Sequence, residues 1–153
     1  MGMIEVWTDG SCNVISRKKA GGWAYLIRYP FEEDSVMDIT NVGSTFGTTV
    51  NQMELMAILN AIRRINDIKD RRTNEVVIYS DSEWAVKCLN KEYNCKARIV
   101  KDYLDEIKWA TGDLIITYKH IFGHSGIAEN ELVDSLAVQV RKHMEHDTNL
   151  RRK

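Results

Sequence analysis

The run Val76-Val77-Ile78-Tyr79 constrains the fold more than any other feature of the chain. Four apolar residues in succession leave no polar side for water, so the segment reads as a strand buried on both faces, as in a parallel pair covered by helices. The neighbouring patterns agree. Residues 3–8 read as a strand closed by the turn pair Asp9-Gly10, Gly21-Gly22 opens a second strand over 23–29, and 36–46 reads as a third. Three strands in succession indicate an antiparallel meander. A helix over 52–68 then carries Leu55, Ile58, Leu59, Ile62 and Ile65 on one stripe. Helical stretches over 82–91 and 98–110, a strand over 114–120 and a helix over 129–146 complete the pattern. That last helix has Leu132, Val133, Leu136, Ala137, Val140 and Met144 on its apolar face. Strands first, then helix alternating with strand, argue for an α/β fold built on a mixed sheet.

A chain of 153 residues with one proline and no repeat or linker is expected to form one domain over 1–147, with a polar tail over 148–153 that frays. It holds no run of 18 apolar residues and no basic region leading into an apolar stretch, so neither a membrane span nor a secretory signal is read. Cys12, Cys88 and Cys95 are odd in number and lack C-x-x-C spacing, so free thiols in a reducing, cytoplasmic setting are expected. The net charge of −1 does not mark a nucleic-acid binder by itself. A polyanion would have to be held by a local basic patch, or by cations on clustered acids.

Four acids matter, and each alone has an adequate structural explanation. Asp9 with Gly10 is a turn signal. Asp81 precedes a helix, with Ser80 and Glu83 at capping-box spacing. Glu54 pairs at the same spacing with Asn51, and Asp134 lies early in the last helix, where the dipole favours an acid. Together they mean more. If the first and fourth strands are parallel neighbours, strand spacing of roughly 4.8 Å puts Asp9 and Asp81 within reach of one cation. That carboxyl edge is where α/β sheets place their sites. Two more acids from helix starts complete an oxygen cage suited to Mg2+ or Mn2+.

The segments Thr8-Asp9-Gly10-Ser11, Asn51-Gln52-Met53-Glu54-Leu55, Ser80-Asp81-Ser82, Gly123-His124-Ser125-Gly126, Glu129-Asn130-Glu131 and Val133-Asp134-Ser135-Leu136-Ala137 resemble, in order, the motifs of type 1 ribonucleases H. The resemblance implies a ribonuclease H-like fold, a five-stranded mixed sheet flanked by helices with the first and fourth strands adjacent and parallel. It implies an endonuclease that cuts the RNA strand of an RNA–DNA hybrid, leaving 5′-phosphate and 3′-hydroxyl ends. Asp9, Glu54, Asp81 and Asp134 would bind two Mg2+ ions, with Mn2+ able to substitute. His124 matches a mobile histidine that assists proton transfer or product departure. Gly10, Cys12 and Asn51 match positions that contact the RNA 2′-hydroxyl, and Thr49 a DNA-strand phosphate contact. The expected partner is the hybrid alone, bound by a monomer with no membrane and no obligate protein partner.

The chain also departs from that family. Val50 stands where many members carry Asn, Glu83 stands for a frequent Gln, and the stretch from Asp81 to His124 is too short for the basic handle of longer bacterial members. In its place residues 87–101 hold Lys87, Lys91, Lys96, Arg98 and Lys101 against Glu92 alone, a balance of +4. With Trp84 and Tyr93 nearby, Lys87, Lys91 and Lys96 form a candidate phosphate-tracking surface, the alternative being a solvated helix face. His143 and His146, three apart on the last helix, read as solvated rather than as metal ligands. Two other functions remain open: a domain tethered to a polymerase or reverse transcriptase, and a catalytically weak hybrid-binding module.

Overall fold

A computed structural model describes residues 2–15 and 17–151, with 147–151 described by backbone alone. In chain order the elements are β1 (Ile4–Cys12), β2 (Gly21–Glu32), β3 (Ser35–Thr45), α1 (Val50–Asn66), β4 (Glu75–Ser80), α2 (Glu83–Leu89), α3 (Arg98–Thr111), β5 (Ile115–His120) and α4 (Ala128–Arg151). They form one five-stranded sheet in the order β3-β2-β1-β4-β5. β1, β2 and β3 pair antiparallel, while β4 lies parallel to both β1 and β5. The mixed sheet is the one expected. α4 runs into the segment read as a fraying tail; Arg152 and Lys153 lie outside the described residues.

Period-2 alternation assigns each strand residue to a layer. Ile4 and Val6 of β1, Tyr25 and Ile27 of β2, and Val76 and Ile78 of β4 join the cluster under α1 and α3. Trp7, Ala24 and Leu26 face the other way, onto Val133 and Ala137 of α4. Val77 is buried as well, so β4 is covered on both sides, as its unbroken apolar run requires. α1 buries Leu55, Ile58, Leu59, Ile62 and Ile65. Each such side chain contributes about 1.5–3 kcal/mol, so packing rather than helix propensity holds α1 in place.

Three local expectations are corrected. Asp9-Gly10 is not a turn: the ladder to β2 continues through Gly10↔Trp23 to Cys12↔Gly21. The glycine is needed for close packing, since a Cβ at Gly10 would lie 2.5 Å from the Glu54 nitrogen. The caps also shift. Thr49, not Asn51, caps α1 by accepting from the Gln52 N–H at 3.2 Å, and Ser82, not Ser80, caps α2 by accepting from the Ala85 N–H at 3.1 Å. Finally, the cysteines are not all free. Cys88 in the last turn of α2 is joined to Cys95 by a disulfide, and Cys12 is the remaining thiol. A separation of seven residues fits no standard motif, and the pair meets only because the chain folds back after α2.

Candidate active site

The parallel register Thr8↔Ser80 brings Asp9 and Asp81 to the same edge of the sheet. By alternation both lie on the face covered by α4. Glu54 comes from the opposite face, just past the first turn of α1, and reaches the edge across Gly10, where no side chain intervenes. One carboxylate oxygen from each of Asp9, Glu54 and Asp81 lies within 4.8 Å of the other two. Asp134 completes the group from α4, within hydrogen-bonding reach of Asp9. Acids from β1, α1 and the link after β4 therefore converge, with Asp134 of α4 beside Asp9.

The electrostatics of this cluster are unfavourable without a counter-charge. Burial, then the charges of Glu54 and Asp81, push the Asp9 carboxyl far above the usual carboxylate range. Burial does the same to Glu54, and the charges of Asp81 and Asp134 add to it. Asp81 is raised by burial and by Asp134. The Gly10 N–H serves both Asp9, whose Oδ1 it meets at 2.9 Å, and Glu54. Yet Glu54 Oε2 is buried with no partner among the described residues. An all-oxygen donor set with an orphaned buried oxygen and mutually repelling carboxylates suits a hard divalent cation.

The surroundings hold the acids in place, and here the structure gives roles to Glu129 and Asn130, which the sequence reading quoted in a motif without assigning them any, and adds Arg28 and His120, which it passed over. Asn130, 2% exposed, lies within hydrogen-bonding reach of Asp81; its Oδ1 has no partner among the described residues. Its neighbour Glu129 accepts from Arg28 at 3.0 Å, and that guanidinium also binds Asp38 and lies 5.1 Å from the centre of the Trp7 ring. The first turn of α4, which carries Asn130, is thus tied to β2. The only signal for Arg28 was a lone charge within an otherwise apolar strand. His120 meets the Asp81 carbonyl oxygen at 3.3 Å.

His124 is exposed in the loop before α4, at φ 57°, a left-handed conformation uncommon for a residue with a side chain. The adjacent Gly123 packs so closely that a Cβ there would lie 3.2 Å from Asp81 Oδ2. The loop therefore places His124 at the rim of the acid cluster.

The candidate substrate contacts divide. Gly10, Cys12, Thr49 and Asn51 flank the acids along the end of β1 and the start of α1. Cys12 Sγ lies 3.4 Å from the Thr48 carbonyl oxygen, and Asn51 is exposed. Asn51 shares a cavity with Trp84, Tyr93 and Lys96. Lys87 is already engaged, 2.7 Å from Glu83 and 5.3 Å above the Tyr93 ring, so the extra acid at position 83 is neutralised within α2. Lys91 and Lys96 are exposed. His143 and His146 lie on the exposed side of α4 and form no part of the cluster.

Comparison with known proteins gives a consistent result. The family model described as RNase H matches residues 2–142. The chain is 31% identical over 149 residues to a ribonuclease H of Rhodopirellula baltica, covering 88% of each chain. It is 32% identical over 139 residues to a ribonuclease HI of Campylobacter jejuni, again covering 88% of each. Among solved structures, LC11-RNase H1 in complex with an RNA/DNA hybrid superposes with a TM-score of 0.76 at 19% identity, covering 92% of this chain and 98% of that one. LC9-RNase H1, a type 1 RNase H, gives 0.77 at 24% identity, covering 92% and 72%.

Proposed function

Because this chain belongs to the RNase H family and is a ribonuclease H, we propose that it hydrolyses the RNA strand of an RNA–DNA hybrid by a two-metal-ion mechanism. Products carry 5′-phosphate and 3′-hydroxyl ends. The observation that carries this reading is the convergence of Asp9, Glu54 and Asp81 within 4.8 Å, with Asp134 beside Asp9. The four carboxylates hold two Mg2+ ions, with Mn2+ able to substitute. When bound, such cations supply the charge that lowers the pKa of an attacking water and offsets charge on the departing 3′ oxygen. The reading includes one catalytic domain over 1–147, acting as a cytoplasmic monomer. Among the described residues no helix is long and apolar enough to cross a membrane.

The protein groups position the substrate. Asn51 and the main chain at Gly10 and Cys12 meet the 2′-hydroxyl, the group that separates RNA from DNA. Thr49 Oγ1 accepts from Gln52, which leaves its own O–H to donate to a DNA-strand phosphate. Lys91 and Lys96 lie where the hybrid's other phosphates pass, with Lys87 contributing through its shared charge with Glu83. The test offers end-labelled RNA–DNA hybrid, duplex RNA and duplex DNA with Mg2+ and with EDTA. Only the RNA strand of the hybrid is cut, and only with the cation; comparable cleavage of duplex DNA, or full activity in EDTA, contradicts the reading.

His124 moves a proton, or eases product departure, from its exposed loop. A left-handed residue beside a site acid is backbone strain that the surrounding fold sustains. His124→Ala is expected to slow turnover by about 10²-fold, the low end for a general acid–base group, with hybrid affinity nearly unchanged. A large loss of affinity with an unchanged single-turnover rate would instead make His124 a binding residue.

A further inference from the structure

We propose that the Cys88–Cys95 disulfide is a thiol-exchange site that sets how tightly the enzyme holds its nucleic-acid substrate. It does so by fixing the segment 90–97 against the cavity beside Asn51. The inference rests on the hybrid-binding reading above.

The cavity, about 480 Å³, has two walls. One is made by Asn51 of α1 and Trp84 of α2, both on regular elements. The other comes from Tyr93, Asn94 and Lys96, in the irregular link between α2 and α3. The first half of that link is tied to α2. The N–H groups of Glu92 and Tyr93 donate to the Lys87 carbonyl at 2.8 and 3.3 Å, and Lys91 donates to that of Cys88 at 3.1 Å. The second half is not. Among the described residues, no backbone N–H from Asn94 to Ala97 donates a hydrogen bond, and Ala97, which precedes α3, supplies no side-chain cap. Cys95 is the covalent tie of this half, and it sits between the aromatic wall and Lys96.

The two sulfurs are not equivalent. Cys88 is 4% exposed, whereas Cys95, packed against the core by one side, is only partly buried and is the more exposed of the two. The co-reactant is a dithiol. Its thiolate attacks Cys95 Sγ, the S–S bond breaks, and the electron pair leaves on Cys88 Sγ, which takes up a proton. The second thiol of the reductant then displaces Cys95 Sγ, which is protonated in turn. The dithiol ends as a cyclic disulfide, and two electrons and two protons reside on the cysteine pair. Opening this short loop enlarges the ensemble of the link. Lys96 and the Tyr93–Asn94 wall must then be re-ordered whenever the hybrid binds. The four acids lie on other elements, so the chemical step is untouched.

The test compares air-oxidised wild type, wild type in dithiothreitol, Cys95→Ser and Lys96→Ala. Hybrid affinity and saturating rate come from single-turnover cleavage at varied enzyme concentration with Mg2+. Oxidised wild type shows one free thiol and reduced wild type three. Reduction weakens half-saturation by about fivefold or more, leaves the saturating rate within about twofold, and raises hydrogen exchange over 90–97. Cys95→Ser behaves as reduced wild type with or without the reductant. Three free thiols in protein treated with a disulfide oxidant, equal affinity in the two redox states, or an equal response of Cys95→Ser to the reductant would each overturn the proposal. Lys96→Ala separates the two levels of failure. If oxidised Lys96→Ala keeps wild-type affinity, the link is not a contact surface and the proposal fails with that reading. If it binds weakly while wild type ignores its redox state, only the switch is refuted.

Discussion

Asp9→Asn is expected to lower turnover by about three orders of magnitude or more, roughly 4 kcal/mol of barrier, while raising the stability of the metal-free protein. The two effects have one cause. Asp9 is 3% exposed and lies between Glu54, Asp81 and Asp134. Its charge is what a cation there would need, and it is also what the empty cluster tolerates least. Asn keeps the shape and one acceptor oxygen, removes the charge, and still receives the Gly10 N–H that Asp9 Oδ1 accepts at 2.9 Å. Single-turnover cleavage measures the first effect, and thermal melting in EDTA the second. A variant that keeps more than about a tenth of the parental rate, on the order of 1.4 kcal/mol, contradicts the assignment. So does a variant that melts below the parent without metal.

Gly10→Ala is the second large effect, and it tests the packing that delivers Glu54. A Cβ at position 10 would lie 2.5 Å from the Glu54 nitrogen, 2.6 Å from the Met53 carbonyl carbon and 2.8 Å from Met53 Cβ. Two of those three neighbours are backbone, which no rotamer change can move. β1 is held by its ladder to β2, which continues through Gly10↔Trp23, and by its pairing with β4 up to Thr8↔Ser80, so the start of α1 must retreat and take Glu54 with it. Overpacking of this kind costs about 1–3 kcal/mol. A displacement near 1 Å at a reacting centre costs about 10²-fold in rate. Gly2→Ala, with nothing within 4 Å of its Cβ position, is the matched control and should change neither quantity. If Gly10→Ala melts and turns over like Gly2→Ala, the close approach of β1 and α1 does not set the position of Glu54.

The parts of this design that were legible in the sequence are those written in periodicity and order. The unbroken run at Val76–Ile78 announced a strand covered on both faces, while its place beside β1, which sets Asp81 next to Asp9, came only from the family resemblance. Asp9-Gly10 misled because one dipeptide serves two purposes. Glycine closes turns, but it also lets a helix start press against a strand, and only the neighbour in space tells which. The cysteine pair was hidden for a similar reason: spacing in sequence does not reveal that the chain doubles back after α2. The basic segment was counted as a net charge, although Glu83 and Lys87 stand at i,i+4 spacing and share their charge. Arg28 and Asn130 act through tertiary contacts alone, Arg28 with Glu129 and Asn130 with Asp81, and periodicity carries no trace of either.

The most direct test of the central claim, that Asp9, Glu54, Asp81 and Asp134 form one cation site, is thermal melting without substrate over about pH 5 to pH 8, with and without Mg2+ or Mn2+. The sign follows from proton linkage. Asp9, Glu54 and Asp81 all have folded pKa values raised above their ordinary values of 3.8, 4.5 and 3.8. Their protonated forms favour the fold fully below those ordinary values, and this contribution is lost as pH rises toward and through the raised ones. The metal-free protein should therefore melt at progressively lower temperature across the window. A cation bound only by the folded state should reverse the loss, contributing about 2.7 kcal/mol at a hundredfold excess over Kd, and should flatten the pH dependence. Asp9→Asn should show a weaker pH dependence without metal and little response to the cation. A wild-type melting temperature that neither falls with pH nor responds to either cation would contradict the site.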